Sequence, residues 1–312
     1  MLATLHIVFP VFALVLGGFA TRRRGLLGPA AASELNRFVV WLALPALMFD
    51  VLWHTTRAQL DQPGFLEAFS ITLMVPFALI CVVQVKRGKR LVDSAIDALA
   101  AAYPNTAYMG IPLATAMFGP SGMLPAMLAS ILLFCLQFGT AVILIEIGLQ
   151  AEQAPHALVL KVLGKLARNP LIVAPLLGAV ASAMHLELPE GGETLLKLVG
   201  AAAAPVALVS LGAFLAERRP AKGALAAAVV FSGVKLFLQP LFAWAIGVYV
   251  FHLSSAMLVA LVVMAAMPTG TGPYMLAELY DREPHVTSRT ILISTLASLL
   301  TLAWLVPHFT HV

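Results

Sequence analysis

Ala102-Tyr103-Pro104-Asn105-Thr106-Ala107-Tyr108-Met109-Gly110-Ile111-Pro112 and Ala266-Met267-Pro268-Thr269-Gly270-Thr271-Gly272-Pro273-Tyr274 are the two stretches on which the reading of this chain turns. Each lies inside an apolar run and holds two prolines with Gly, Thr or Asn between them. Proline has no N–H to donate and its ring clashes with the carbonyl one turn back, so a helix breaks or kinks there. In lipid, the freed backbone groups survive only when buried in protein or lining a wet cavity. Two readings follow. The stretches are Pro-kinked helices packed for shape, or they are discontinuous helices that face each other near the midplane. In the second, half-helix N-termini present free N–H groups and positive dipole ends to an anion. The breaks fall at matching positions of the two halves of the chain, which favours the second.

The surrounding sequence is membrane sequence. It is 61% hydrophobic and 11% charged, with a mean hydropathy of +0.94, whereas soluble domains carry about 25% charged residues. The 312 residues accommodate ten spans of about 20 residues with short loops. Apolar runs bounded by charges or turn residues place them near 2–20, 36–53, 65–85, 94–118, 122–148, 169–186, 194–216, 223–250, 255–280 and 287–308. The expected fold is therefore an all-α membrane protein. The formal charge of +4 does not point to nucleic acid, because the basic residues gather in short loops. Cys81 and Cys135 lie in apolar segments and imply no disulfide framework. The run Leu2 to Ala20 precedes Arg22-Arg23-Arg24, the reverse of a signal peptide's order, so it reads as a retained first helix.

Loop charges set the orientation. The first loop and its flank carry Arg22, Arg23, Arg24 and Arg37; the third Lys86, Arg87, Lys89 and Arg90; the fifth Lys161, Lys165 and Arg168. The seventh carries Arg218, Arg219 and Lys222, and the ninth Arg282 and Arg289, against Arg57 and Lys197 in the alternate loops. Lys and Arg accumulate on the cytoplasmic side, which puts both termini outside a plasma membrane, the bacterial inner membrane. A wrong span count would scramble this alternation.

The halves repeat. Pro10 and Pro170 are 160 residues apart, as are Pro45 and Pro205, and Gly18 and Gly178. Pro76 and Pro240 are 164 apart, as are Pro104 and Pro268, so one four-residue insertion reconciles the two offsets. Residues 1–148 then form one five-helix repeat, 149–168 a cytoplasmic connector, and 169–312 a second repeat, all within one membrane domain. Ala157 to Ala167 has the composition of a short amphipathic surface helix. Five crossings per half invert the second half relative to the first, the architecture of many secondary transporters.

The Tyr103–Pro112 run resembles the fourth-helix motif of the auxin efflux carrier family of membrane transporters. Arg168-Asn169-Pro170-Leu171, the stretch from Pro205 to Gly212, Lys235-Leu236 to Pro240, and Ser294-Thr295-Leu296 extend the resemblance over the whole chain. The long cytoplasmic loop of some plant members is absent, so the chain looks like a compact, bacterial-type member. The resemblance implies ten helices in two inverted five-helix repeats, with the broken fourth and ninth helices crossing at the substrate site, an architecture similar to that of sodium–bile acid symporters. It also implies a carboxylate substrate such as malonate, malate or an auxin-like weak acid.

On these grounds the substrate-binding residues are expected among Pro104, Asn105, Thr106 and Tyr108 in the fourth span and Pro268, Thr269 and Thr271 in the ninth. Lys235 joins them: it lies 13 residues beyond Lys222, about 20 Å along a helix. A cation at that depth is costly unless it faces a polar interior; snorkelling to a surface is the alternative. It reads as a counter-charge for the anion, or as a built-in cation standing in for a coupling sodium. Gln239 shares its face one turn on. Gln137 and Thr140 are polar candidates in the fifth span, for which helix packing is an equal explanation.

Asp50, Glu67, Asp93, Asp97, Glu146 and Glu278 all lie within about two turns of a span end, within reach of interfacial water, and form no cluster of the kind that binds sodium or a metal. No metal or cofactor is expected. Gly119-Pro120-Ser121-Gly122 mimics an intramembrane serine protease motif, but such chemistry needs a histidine at depth, and all eight histidines fall near span ends or in loops. The expected function is a secondary transporter moving a small organic anion by alternating access. A membrane-embedded sensor of the same fold is the rival, and a sodium-coupled symporter a variant. Expected partners are the anion and membrane lipid; a homodimer stays open.

Overall fold

The computed structural model describes residues 2–57, 61–149, 164, 167–168, 170–217 and 225–309, with the backbone alone at 2–8, 120–121, 278 and 308–309. Among these the chain is helical, apart from loops and one isolated β-bridge. The helices are α1 (Leu2–Arg23), α2 (Ala31–Trp53), α3 (Pro63–Lys86), α4 (Leu91–Ala102), α5 (Thr106–Phe118) and α6 (Met123–Leu149). There follow α7 (Pro170–Ala183), α8 (Glu190–Ala216), α9 (Leu225–Tyr249), α10 (Ser255–Ala266), α11 (Gly272–Leu279) and α12 (His285–Phe309). Six of them, α2, α3, α6, α8, α9 and α12, are long and apolar enough to cross a membrane, and α5, α7 and α10 are shorter apolar helices.

Local chemistry explains many boundaries. Pro63 and Pro170 open their helices, where a missing N–H costs nothing and the fixed φ is already helical. Gly88, at φ 84°, stops α3 in the left-handed conformation that glycine adopts without strain. The apolar run expected over 94–118 is two helices, as is the run over 255–280, each parted at the Pro-containing stretch. The second helix begins at Ala31 rather than near 36, because its first turns are amphipathic and fall outside an apolar window. Apart from residues 164 and 167, the 157–167 segment lies outside the described residues, as do Lys161, Lys165, Arg218, Arg219, Lys222 and the side chain of Ser121.

Two groups of helices pack against each other. In one, α1 runs along the second half of α8 and α7 along the second half of α2; in the other, α3 and α6 flank α4, while α9 and α12 flank α10. Glycines permit the closest approaches. A Cβ on Gly18 would stand 2.1 Å from the Val209 carbonyl oxygen, and one on Gly178 would stand 2.4 Å from that of Phe49.

Loops meet at opposite ends. Trp53 Nε1 donates to the Leu186 carbonyl at 2.8 Å and Ser182 Oγ to the Thr55 carbonyl at 2.9 Å, joining the α2–α3 and α7–α8 corners. Arg282 grips Asp93 through two bonds of 2.7 Å, joining the α11–α12 connection to the first turn of α4. Near this end the acidic residues depart from expectation. Asp97 and Glu146 are only 5% and 3% exposed, so neither meets interfacial water freely. Asp97 accepts from Gln84 Nε2 at 2.5 Å and from Lys89, and Glu146 accepts from the Tyr280 hydroxyl at 2.9 Å. Neighbouring loops fold over these carboxylates and supply the donors that burial requires.

Candidate functional site: a crossover of two broken helices

The two interruptions touch. Pro104 and Thr269 pair as an antiparallel bridge: Asn105 N–H donates to the Pro268 carbonyl at 2.8 Å and Gly270 N–H to the Tyr103 carbonyl at 2.9 Å. Proline decides this geometry. Pro104 cannot donate to the Ala100 carbonyl one turn back, so the ladder of α4 stops and the backbone turns outward to find a partner. Thr269 N–H, across the bridge, donates to Ser294 Oγ of α12 at 3.0 Å.

A helix end leaves carbonyls without intrahelical donors, and here side chains from other helices supply them. Thr269 Oγ1 donates to the Ala100 carbonyl at 2.9 Å. The Ala102 carbonyl accepts from Gln137 Nε2 at 3.0 Å and from Gln239 Nε2 at 3.1 Å. The same two amides reach α3, Gln137 to the Leu73 carbonyl at 3.0 Å and Gln239 to the Thr72 carbonyl at 3.2 Å. Pro76 is what frees Thr72, since it has no N–H to offer the residue four back. At the end of α10, Lys235 Nζ donates to the Ala265 carbonyl at 2.6 Å. Lys235, Gln239 and Gln137 are all 0% exposed. Gln137 and Lys235 sit in widened, π-type turns over Leu133–Phe138 and Val234–Leu238, a backbone irregularity that often re-aims side chains.

The amino ends of α5 and α11 face the other way, into a cavity of about 110 Å³. Tyr103, Asn105, Thr106, Tyr108 and Gly270 to Gly272 form its polar wall; Val40, Leu133, Phe134, Phe138 and Leu171 are among the apolar side chains that close it. Asn105 is 5% exposed, and its amide Nδ2 has no hydrogen-bond partner. Ser130 Oγ donates to Thr106 Oγ1 at 2.9 Å, which fixes the first residue of α5 against α6.

The cavity continues into a vestibule of about 650 Å³, with which it shares Val40, Tyr108, Thr271 and Met275. Ser33, Asn36, Arg37 and Trp41 of α2, Ser210 and Phe214 of α8, and Tyr274 of α11 line it. The Tyr108 hydroxyl donates to Asn36 Oδ1, so one hydrogen bond joins the two helix groups where the vestibule meets the cavity. Another cleft, of about 610 Å³, lies at the opposite end between Asp50 of α2, His54 just after it, Lys197 of α8, and α3, α6 and α10. Both clefts run along the seam between the groups.

The residues expected to bind substrate thus separate. Pro104, Asn105, Thr106, Tyr108 and Thr271 line the cavity. Gln137, Lys235, Gln239 and Thr269 hold the carbonyl ends of the broken helices from behind, and Pro268 supplies a bridge carbonyl. Lys235 walls neither the cavity nor the vestibule. Asn36, Ser33, Arg37 and Ser210 are vestibule-side polar residues that the sequence reading did not place at the site; their signal was a polar face at the start of the second span and a lone serine inside the seventh. Among the described residues no group of three or more His, Cys, Asp or Glu could hold a metal ion.

The Membrane transport protein family matches residues 3–306. A protein of Rhizobium meliloti (strain 1021) named "Putative malonate transporter" is 30% identical over 308 residues, covering 96% of this chain and 93% of its own. "Auxin efflux carrier component 8" of Arabidopsis thaliana is 22% identical, covering 92% of each. "Uncharacterized transporter YfdV" of Escherichia coli (strain K12) is 23% identical, covering 94% of each.

Proposed function

Because the chain belongs to the Membrane transport protein family, we propose that it is a secondary carrier of a small organic anion, which it holds at the crossover and moves by alternating access. The observation that carries this is the cavity beside the amino ends of α5 and α11, with the unpartnered Asn105 amide in its wall. Such an end attracts anions through its free N–H groups and its dipole. At about 110 Å³ the cavity falls well below the roughly 300–1,000 Å³ of sites for drug-sized ligands, which favours a short carboxylate such as malonate or malate over an indole-sized acid.

In this reading the chain makes ten crossings, α4 with α5 and α10 with α11 each counting as one, in two inverted repeats over 1–148 and 169–312. Symmetric contacts support it. The Gly18–Val209 contact becomes the Gly178–Phe49 contact when each residue is exchanged for its counterpart 160 positions away. The pairing of α3 with α4 likewise recurs as α9 with α10. With the basic loops inside a plasma membrane, the vestibule opens to the cytoplasm and the Asp50 cleft to the outside. One helix group then moves against the other along the seam, and the Tyr108–Asn36 bond breaks and re-forms in each cycle. Lys235 acts as a built-in cation at the negative end of α10 and holds the crossover together.

A thermal-shift screen of the purified protein over short mono- and dicarboxylates tests the site. Stabilisation by a short carboxylate that disappears in Asn105→Ala, with the variant still monodisperse, is the expected result. Equal stabilisation of wild type and variant would place the site elsewhere.

A further inference from the structure

We infer that the crossover cavity takes carboxylates carrying a single negative charge, so that a dicarboxylate enters as its half-protonated acid and carries one proton with it. The inference rests on the proposed crossover site and specifies what that site accepts. Each helix N-terminus is equivalent to roughly half a positive charge. Two of them line the cavity, at Thr106 and Gly272, and together they match about one negative charge. The opposing carboxyl ends do not cancel this, because the Ala100, Ala102 and Ala265 carbonyls are already held by Thr269, by Gln137 and Gln239, and by Lys235.

Among the described residues the side chains of the lining offer only neutral donors, the Asn105 amide and the hydroxyls of Tyr103, Thr106, Tyr108 and Thr271, and no Lys, Arg or His. A second carboxylate charge there would be desolvated against Leu133, Phe134, Phe138 and Leu171 with nothing to neutralise it, which burial penalises heavily. As a neutral carboxylic acid the same group becomes a hydrogen-bond donor and fits. The titratable groups facing the cavity are the Tyr103 and Tyr108 phenols; Arg37 of α2 and Glu217 after α8 line the vestibule beyond it, and Lys235 of α9 lies behind α10. Among the described residues no carboxylate lines the cavity to hold a proton for the substrate, so the proton travels on the substrate itself, taken up on one side and released on the other.

Malonate and monomethyl malonate separate the possibilities, since the ester remains a monoanion across the range where malonate loses its second proton. Affinities of the full-length protein for both are measured from mildly acidic to mildly alkaline pH. Above its second dissociation, malonate should weaken by about tenfold per pH unit, as loss of one required proton dictates, while monomethyl malonate stays constant. Malonate affinity independent of pH overturns the inference, and so does a parallel fall for both probes, which would mean that a protein group titrates. Asn105→Ala should abolish both interactions. If it binds both probes as wild type does, or if wild type binds neither, the underlying site assignment fails instead.

Discussion

Lys235 Nζ lies 2.6 Å from the carbonyl oxygen of Ala265, the last turn of a helix that stops before Pro268. The contact joins a side chain from one side of the break to a backbone acceptor that no N–H can reach. It gives Lys235 a partner within the protein, whether or not an anion is present.

Lys235→Met should therefore lower the stability of the ligand-free protein by about 1–3 kcal/mol, the usual consequence of leaving a buried acceptor unpaired. Melting in detergent without added carboxylate measures it. An unchanged melting temperature with weakened anion affinity would return Lys235 to the role of substrate counter-charge.

Gln137 and Gln239 converge on the Ala102 carbonyl, so their contributions should not add. Either Gln→Leu change leaves that carbonyl one donor but takes the amide from the α3 carbonyl it also holds, and should cost about 1–3 kcal/mol. The double variant leaves it none and should cost more than the sum, a coupling that a double-mutant cycle of melting measurements reads directly. Simple additivity would mean the two amides act independently.

Gly18→Ala and Gly178→Ala each place a Cβ against backbone oxygen, at 2.1 and 2.4 Å. Backbone cannot swing aside as a flexible side chain can, so both variants should lose at least about 1–3 kcal/mol. Gly17→Ala, with nothing within 4 Å, is the control and should purify like wild type. Wild-type stability in either test variant would show that these helices are not so tightly apposed.

Topology is tested by cysteine labelling in a background lacking Cys81 and Cys135. Cysteines at Arg57 and Lys197 should react with an impermeant reagent from outside, whereas those at Arg23 and Arg219 should react only after the membrane is opened. The reverse pattern would overturn the orientation and the assignment of the vestibule to the cytoplasm.

The interruptions were legible because Pro104 and Pro268 remove a backbone donor beside Asn, Thr or Gly, whereas Pro76, with apolar residues around it, stays inside α3. The destinations of side chains were not. Gln137 looked like an ordinary packing group, and only the tertiary arrangement brings the carbonyls of Leu73 and Ala102 within its reach. Asn36 and Ser210 belong to helices without Pro-containing breaks, and a polar face or a lone serine there did not by itself mark them as vestibule walls until α5 lies beside them. Asp97 and Glu146 sit near span ends in sequence yet are covered by loops whose folding no hydropathy window describes.

Flux tests the central claim most directly. Proteoliposomes containing the purified chain are loaded with unlabelled malonate and diluted into a trace of labelled malonate, and accumulated label is followed over time. The account predicts time-dependent accumulation above protein-free liposomes that falls to background in Asn105→Ala, with the variant reconstituted to the same level. Specific binding with no flux in wild type would make the protein a sensor rather than a carrier, and equal flux in wild type and Asn105→Ala would contradict transport through the crossover.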